Sequence, residues 1–124
     1  ILHNNIAIAY LSMPLSSEKE YLKHGLAVQS FETALKHINL IDHKREYAML
    51  QNNLGNALQY LPSSHPVENN LRALACYNEA LKVRNSYDTP LEYANTIANK
   101  ANVLSNIPDN LEHPELGNPK NLTQ

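Results

Sequence analysis

The sequence predicts an all-α protein, an α-solenoid of antiparallel helix pairs with five main helices. Three observations lead there: an internal repeat of 46 residues, apolar residues at helical spacing within each copy, and a composition suited to packed helices. Of the 124 residues, 43% are apolar, yet there is one Phe, no Trp and only three Gly. Ala, Leu, Ile and Tyr carry the apolar content. Small side chains let helices approach closely, whereas an all-β chain would need more β-branched residues and more glycine turns.

The repeat is the firmest signal. A shift of 46 residues brings Ala27, Ala34, Leu35, Lys36, Asn39, Asp42, Glu46, Tyr47, Ala48, Asn53, Asn56, Leu58 and Pro62 onto identical residues from Ala73 to Pro108. A partial copy opens the chain at a spacing of 48, where Leu2, Asn4, Asn5, Ala9 and Pro14 match Leu50, Asn52, Asn53, Ala57 and Pro62. Self-similarity at a fixed period of about 20–50 residues marks a stacked array, in which each unit buries its apolar face against its neighbours.

The elements follow in order. A first helix runs from the chain start to Ser12 and is stopped by Pro14. A second covers residues 21–40, with Val28, Phe31, Ala34, Leu35 and Ile38 on one face. The third spans about 44–61 and ends before Pro62. Residues 69–85 form the fourth, with Leu74, Tyr77, Ala80 and Leu81 apolar and Arg84 fitting the series less well. The last covers 90–107, with Thr89 as N-cap, Pro90 in the first turn, Glu92 completing a capping box, and Pro108 as the stop. The repeat domain is thus 1–107, divided into a partial repeat 1–40, a repeat 44–85 and a half repeat 90–107. Residues 108–124 read as a polar Pro/Asn-rich tail or the start of a further repeat, and the chain as a fragment of a longer array.

Charge and motif content narrow the function. Ten Lys and Arg against twelve Asp and Glu leave a net charge of −2, with no basic stripe, so nucleic acid is not an expected partner. The longest apolar run, residues 6–11, is far short of the roughly 20 residues of a membrane span. No signal peptide is visible, and the lone Cys76 suits a reducing, cytoplasmic setting. The six histidines (His3, His24, His37, His43, His65 and His113) have no ligand spacing, so no metal and no cofactor is expected. Nor can a catalytic constellation be assembled, and the chain is not expected to be an enzyme.

Leu54-Gly55 in one helix, then Ala73, Tyr77 and Ala80 in the next, resemble the tetratricopeptide repeat. The preceding unit supplies Ile6-Ala7, then Ala27, Phe31 and Ala34, while the last has Lys100-Ala101. The units are longer than the family's usual 34 residues and look like those of kinesin light chains or of bacterial multidomain arrays. The resemblance implies close packing of the first helix of a pair on the second at Gly55. Because Ala7 and Ala101 carry a methyl at that position, Gly55→Ala is expected to be mild. It also implies a protein–protein interaction module, with a concave groove lined by the first helix of each pair.

Asparagine is a mediocre helix former, so its density in those helices asks for a reason. Asn52, Asn56 and Gln59 share one face, and Asn95, Asn99, Asn102 and Asn106 form a comparable stripe. In the family resembled, the residue after the glycine meets a bound peptide's backbone, and Asn56 and Asn102 stand there. The expected groove is therefore Asn52, Asn56, Gln59, Asn95 and Asn102, holding a peptide or helix of a partner protein. Asn53 and Asn99 are expected to bridge adjacent helices. The competing reading is a structural spacer of a longer chain, or a segment that self-associates through exposed repeat ends.

Overall fold

The computed structural model describes residues 4, 7–8 and 17–108. Among the described residues the regular structure is helical, with no strand. Four helices are delimited: α1 Ser17–Leu35, α2 Lys44–Tyr60, α3 Pro66–Ala80 and α4 Pro90–Ser105. Asn4, Ala7 and Ile8 are helical too. The rest of the expected first helix, the stop at Pro14 and the tail 109–124 lie outside the described residues.

Each helix packs on the next, α1 on α2, α2 on α3 and α3 on α4, while α2 and α4 also meet. Tyr47, in the first turn of α2, donates its hydroxyl proton to Glu79 near the end of α3, so these two helices run in opposite directions. Side chains of α2 and α4 instead meet in the same order along both helices. Asn52 reaches Asn95 and Tyr60 reaches Asn102, so α2 and α4 are parallel. The Asn4 amide likewise pairs with Asn53.

Helix boundaries differ from expectation at the second helix of each pair. α3 begins at Pro66, three residues early, because proline suits the first helical turn. α1 begins at Ser17. Both helices stop five residues short of the expected 40 and 85, and the cause is duplicated. The Asn39 Oδ1 accepts hydrogen bonds from the Ile41 and Asp42 amides at 2.9 and 2.7 Å. The Asn85 Oδ1 accepts from Tyr87 and Asp88 at 2.9 and 2.7 Å. An asparagine that satisfies two backbone donors itself offers the chain an alternative to further helix. The identities Asn39/Asn85 and Asp42/Asp88 are therefore loop chemistry.

The expected capping box at Thr89 does not form. Its hydroxyl turns backwards instead, accepting from the Asn85 amide at 2.9 Å and donating to the Asn85 carbonyl at 3.2 Å. At the other end of α2, Leu61 is extended (φ −69°, ψ 117°), the conformation that a following Pro62 imposes.

The core is continuous. Leu54, Gly55, Ala73, Tyr77, Ala80, Ala27, Phe31 and Ala34 are all buried, as the repeat pattern requires. Leu50, Leu58, Val103 and Ile107 join them. Gly55 lies flat under the Tyr77 ring: a Cβ there would stand 2.6, 2.9 and 3.0 Å from three ring carbons. Gly55→Ala is therefore not mild. The ring cannot retreat freely, because its hydroxyl donates its one proton to Asn56 Oδ1 at 2.6 Å and lies 3.0 Å from Gln59 Oε1. In the first unit these four positions hold Ala7, Phe31, Ile8 and Leu11, a ring without a hydroxyl and neighbours without an acceptor.

Candidate functional site

The asparagines of α2 and α4 meet in a polar seam. At its centre Asn52 is only 4% exposed and Thr96 is fully buried. Asn52 Oδ1 accepts from the Thr96 hydroxyl at 3.0 Å and from Asn99 Nδ2 at 3.1 Å. Its Nδ2 donates to Asn95 Oδ1 at 3.2 Å. A buried amide with three partners spans the helix junction and stabilises it.

The expected groove residues thus part company. Asn52 faces the helix junction, a correction to its placement on a groove surface: Thr96 and Asn99 opposite use up its amide. Asn56 and Gln59 are half-buried and hold the Tyr77 hydroxyl, and Gln59 Nε2 is buried with no partner among the described residues. Asn95 and Asn102 are exposed. Asn95 Oδ1 also accepts from Asn99 Nδ2 at 3.3 Å, and Asn102 Nδ2 donates to the exposed Tyr60 hydroxyl at a long 3.4 Å. Asn53 donates to Asn4 at 3.0 Å and Asn99 bonds Asn52, so both bridge helices.

The seam continues at the N-terminal ends of α2 and α4 into a cleft of about 280 Å³, lined by Arg45, Ala48, Met49, Val83, Arg84, Asp88, Thr89 and Glu92. The half-buried Arg84 donates from Nη1 to the Thr96 hydroxyl at 3.0 Å. Burial lowers the Arg84 pKa from its ordinary value, with Glu92 opposing. Sequence reasoning did not pair Arg84 with Thr96, although the 46-residue shift carried a signal. Ile38 becomes Arg84 and Leu50 becomes Thr96, so two apolar positions turn polar together and bond each other.

Cys76 is buried, and desolvation pushes its pKa up to about 12. His24 lies 3.5 Å from Glu20, and burial lowers its pKa. His37, His43 and His65 are exposed, while His3 and His113 lie outside the described residues. Among the described residues no three His, Cys, Asp or Glu side chains gather as a metal site, and no helix is long and apolar enough to cross a membrane.

Comparison with known proteins finds no matching family model, no matching curated protein and no matching solved structure.

Proposed function

We propose that this chain is a segment of a tetratricopeptide-like α-solenoid that binds an extended peptide or a helix of a partner protein along the seam between α2 and α4. The observation that carries this reading is the seam itself. A buried Asn52–Thr96–Asn99 network fixes two parallel helices, and Asn95, Asn102 and Tyr60 stand exposed beside it. A carboxamide offers both a donor and an acceptor, which matches a peptide unit. Rigid helices that present such groups in a fixed row lower the ordering cost of binding. The groove reading keeps Asn95 and Asn102 as contact residues, with Asn52, Asn56 and Gln59 as the frame that positions them. A lone buried thiol suits a cytoplasmic setting.

The test is selection of binders from a random peptide library on the purified chain, followed by titration of the enriched peptides. Wild type should bind them, and Asn95→Ala/Asn102→Ala should weaken them about tenfold or more at unchanged melting temperature. Enriched peptides that ignore both substitutions would place binding elsewhere.

One observation favours a second reading, assembly through the repeat end. Ala94 and Ala101 of α4 are exposed, whereas their counterparts Ala48 and Gly55 in α2 are buried. Leu91 and Ile97 beside them are 81% and 38% exposed. Sedimentation equilibrium distinguishes the two: a dimer abolished by Ala101→Glu supports assembly, and a monomer at all concentrations opposes self-association.

A further inference from the structure

We propose that the seam selects a proline-rich segment in the polyproline II conformation, because a hydrogen-bonded chain from Arg84 through Thr96 and Asn52 orients Asn95 so that it offers a ligand only N–H groups. This rests on the binding reading above and adds the class of peptide to it. The chain of bonds has one polarity. A guanidinium can only donate, and Arg84 Nη1 donates to the Thr96 hydroxyl at 3.0 Å. Thr96 is fully buried, so its own proton goes to Asn52 Oδ1 at 3.0 Å and not to water. Asn52 then directs its Nδ2 across the seam to Asn95 Oδ1 at 3.2 Å. Asn99 Nδ2 reaches the same oxygen at 3.3 Å. Both acceptor positions of Asn95 Oδ1 are thereby engaged. Its Nδ2, on an exposed residue, has no acceptor among the described residues.

Tyr60 adds a second donor. Its hydroxyl accepts from Asn102 Nδ2 at 3.4 Å, and its own proton has no acceptor among the described residues. At Asn102 the amide oxygen stays open, so selection against a ligand N–H falls on Asn95. An ordinary peptide unit brings an N–H with each carbonyl, and that N–H finds no acceptor at Asn95. A prolyl unit brings a carbonyl and no N–H, so each polar group it buries there is matched. The spacing agrees. Asn95 and Asn102 stand seven residues apart on α4, about 10.5 Å along its axis. A polyproline II chain presents the same side every third residue, about 9.3 Å. An extended strand does so at about 6.7 and 13.4 Å, which fits less well. The Tyr60 ring, 60% exposed, supplies the aromatic surface on which a pyrrolidine ring packs.

The experiment titrates the whole chain at pH 7 with acetyl-nonaproline-amide and with acetyl-(Ala-Ser-Ala)3-amide, a probe of equal length that carries N–H groups. The side-chain carboxamide signals of Asn95 and Asn102 are followed by NMR. Nonaproline should shift both saturably, with a Kd of roughly 0.1–1 mM, and bind about tenfold tighter than the alanine–serine peptide. Asn95→Asp keeps an oxygen for Asn52 and Asn99 but turns an acceptor outward, and should weaken nonaproline about tenfold or more at a melting temperature close to wild type. Tyr60→Ala should weaken it too, and Tyr60→Phe less. Arg84 acts as a positioning residue, so Arg84→Met should bring the ratio of the two affinities towards one, a change that lost packing alone would not produce. A ratio unchanged by Arg84→Met, or equal affinities in wild type with both carboxamides shifting, would overturn the proposal and leave the groove standing. Carboxamides silent towards nonaproline would overturn it as well: the groove survives if library-selected peptides still shift them, and both readings fall if those are silent too.

Discussion

Replacing Gly55 by alanine puts a methyl carbon 2.6 Å from a Tyr77 ring carbon, where ordinary contact begins at 3.4 Å. The ring must retreat by about 0.8 Å, and it is fully buried. Overpacking a core in this way costs about 1–3 kcal/mol. The same movement stretches the bond from the Tyr77 hydroxyl to Asn56, worth about 1 kcal/mol. Against this, alanine gains about 1 kcal/mol over glycine inside a helix. The expected net loss is about 1–3 kcal/mol, with a melting point lowered by roughly 5–15 °C for a domain of this size. Removing the anchor should uncouple the two residues. In a Tyr77→Phe background the ring has no hydroxyl anchor, and Gly55→Ala should cost at most about 1 kcal/mol. Urea unfolding followed by circular dichroism on the four proteins of this cycle measures the coupling. Equal effects of Gly55→Ala in both backgrounds, or stabilisation in wild type, would refute the account of the Gly55–Tyr77 contact.

Other substitutions separate frame from surface. Asn52→Ala should destabilise by about 2–3 kcal/mol, because the buried Thr96 hydroxyl loses its acceptor and the links to Asn95 and Asn99 are cut, whereas Asn102→Ala should stay within about 0.5 kcal/mol; thermal melts compare them. Asn85→Ala removes both loop bonds and should cost about 1–2 kcal/mol, read from the urea midpoint. Burial raises the Cys76 pKa from 9.0 to about 12, so folding favours the neutral thiol. Its contribution is complete below about pH 9 and is lost as pH rises from there towards 12, because the unfolded chain ionises first. Stability should therefore fall across that interval, and Cys76→Ala should flatten the fall. At neutral pH a thiol reagent should label Cys76 only as fast as the chain opens.

The all-helical class was legible because repetition and helical spacing agree over most of the chain. The interior positions Ala27, Phe31, Ala34, Ala73, Tyr77 and Ala80 could be read because close packing of helices leaves a spaced pattern of small and aromatic residues. Helix ends were less legible. Asn39 and Asn85 are visibly repeated, but their role depends on a side chain bonding backbone two and three residues ahead, which identity alone does not reveal. The site was only partly readable. Spacing places Asn52 and Asn56 on one face but cannot say that the face meets Thr96 and Tyr77. Arg84 stood out as a poor fit to the apolar series, but its role was hidden because its bond to Thr96 joins the loop before α4 to that helix's buried side.

The central claim is that the seam between α2 and α4 receives a partner's peptide, and the most direct measurement is NMR mapping of the amide and side-chain carboxamide signals while a library-selected peptide is added. Shifts should concentrate at Asn95, Asn102 and Tyr60, leave Ile41 and Tyr87 in the loops unmoved, and fade in Asn95→Ala/Asn102→Ala. Shifts confined to Leu91, Ala94, Ile97 and Ala101, with the Asn95 and Asn102 carboxamides silent, would contradict it.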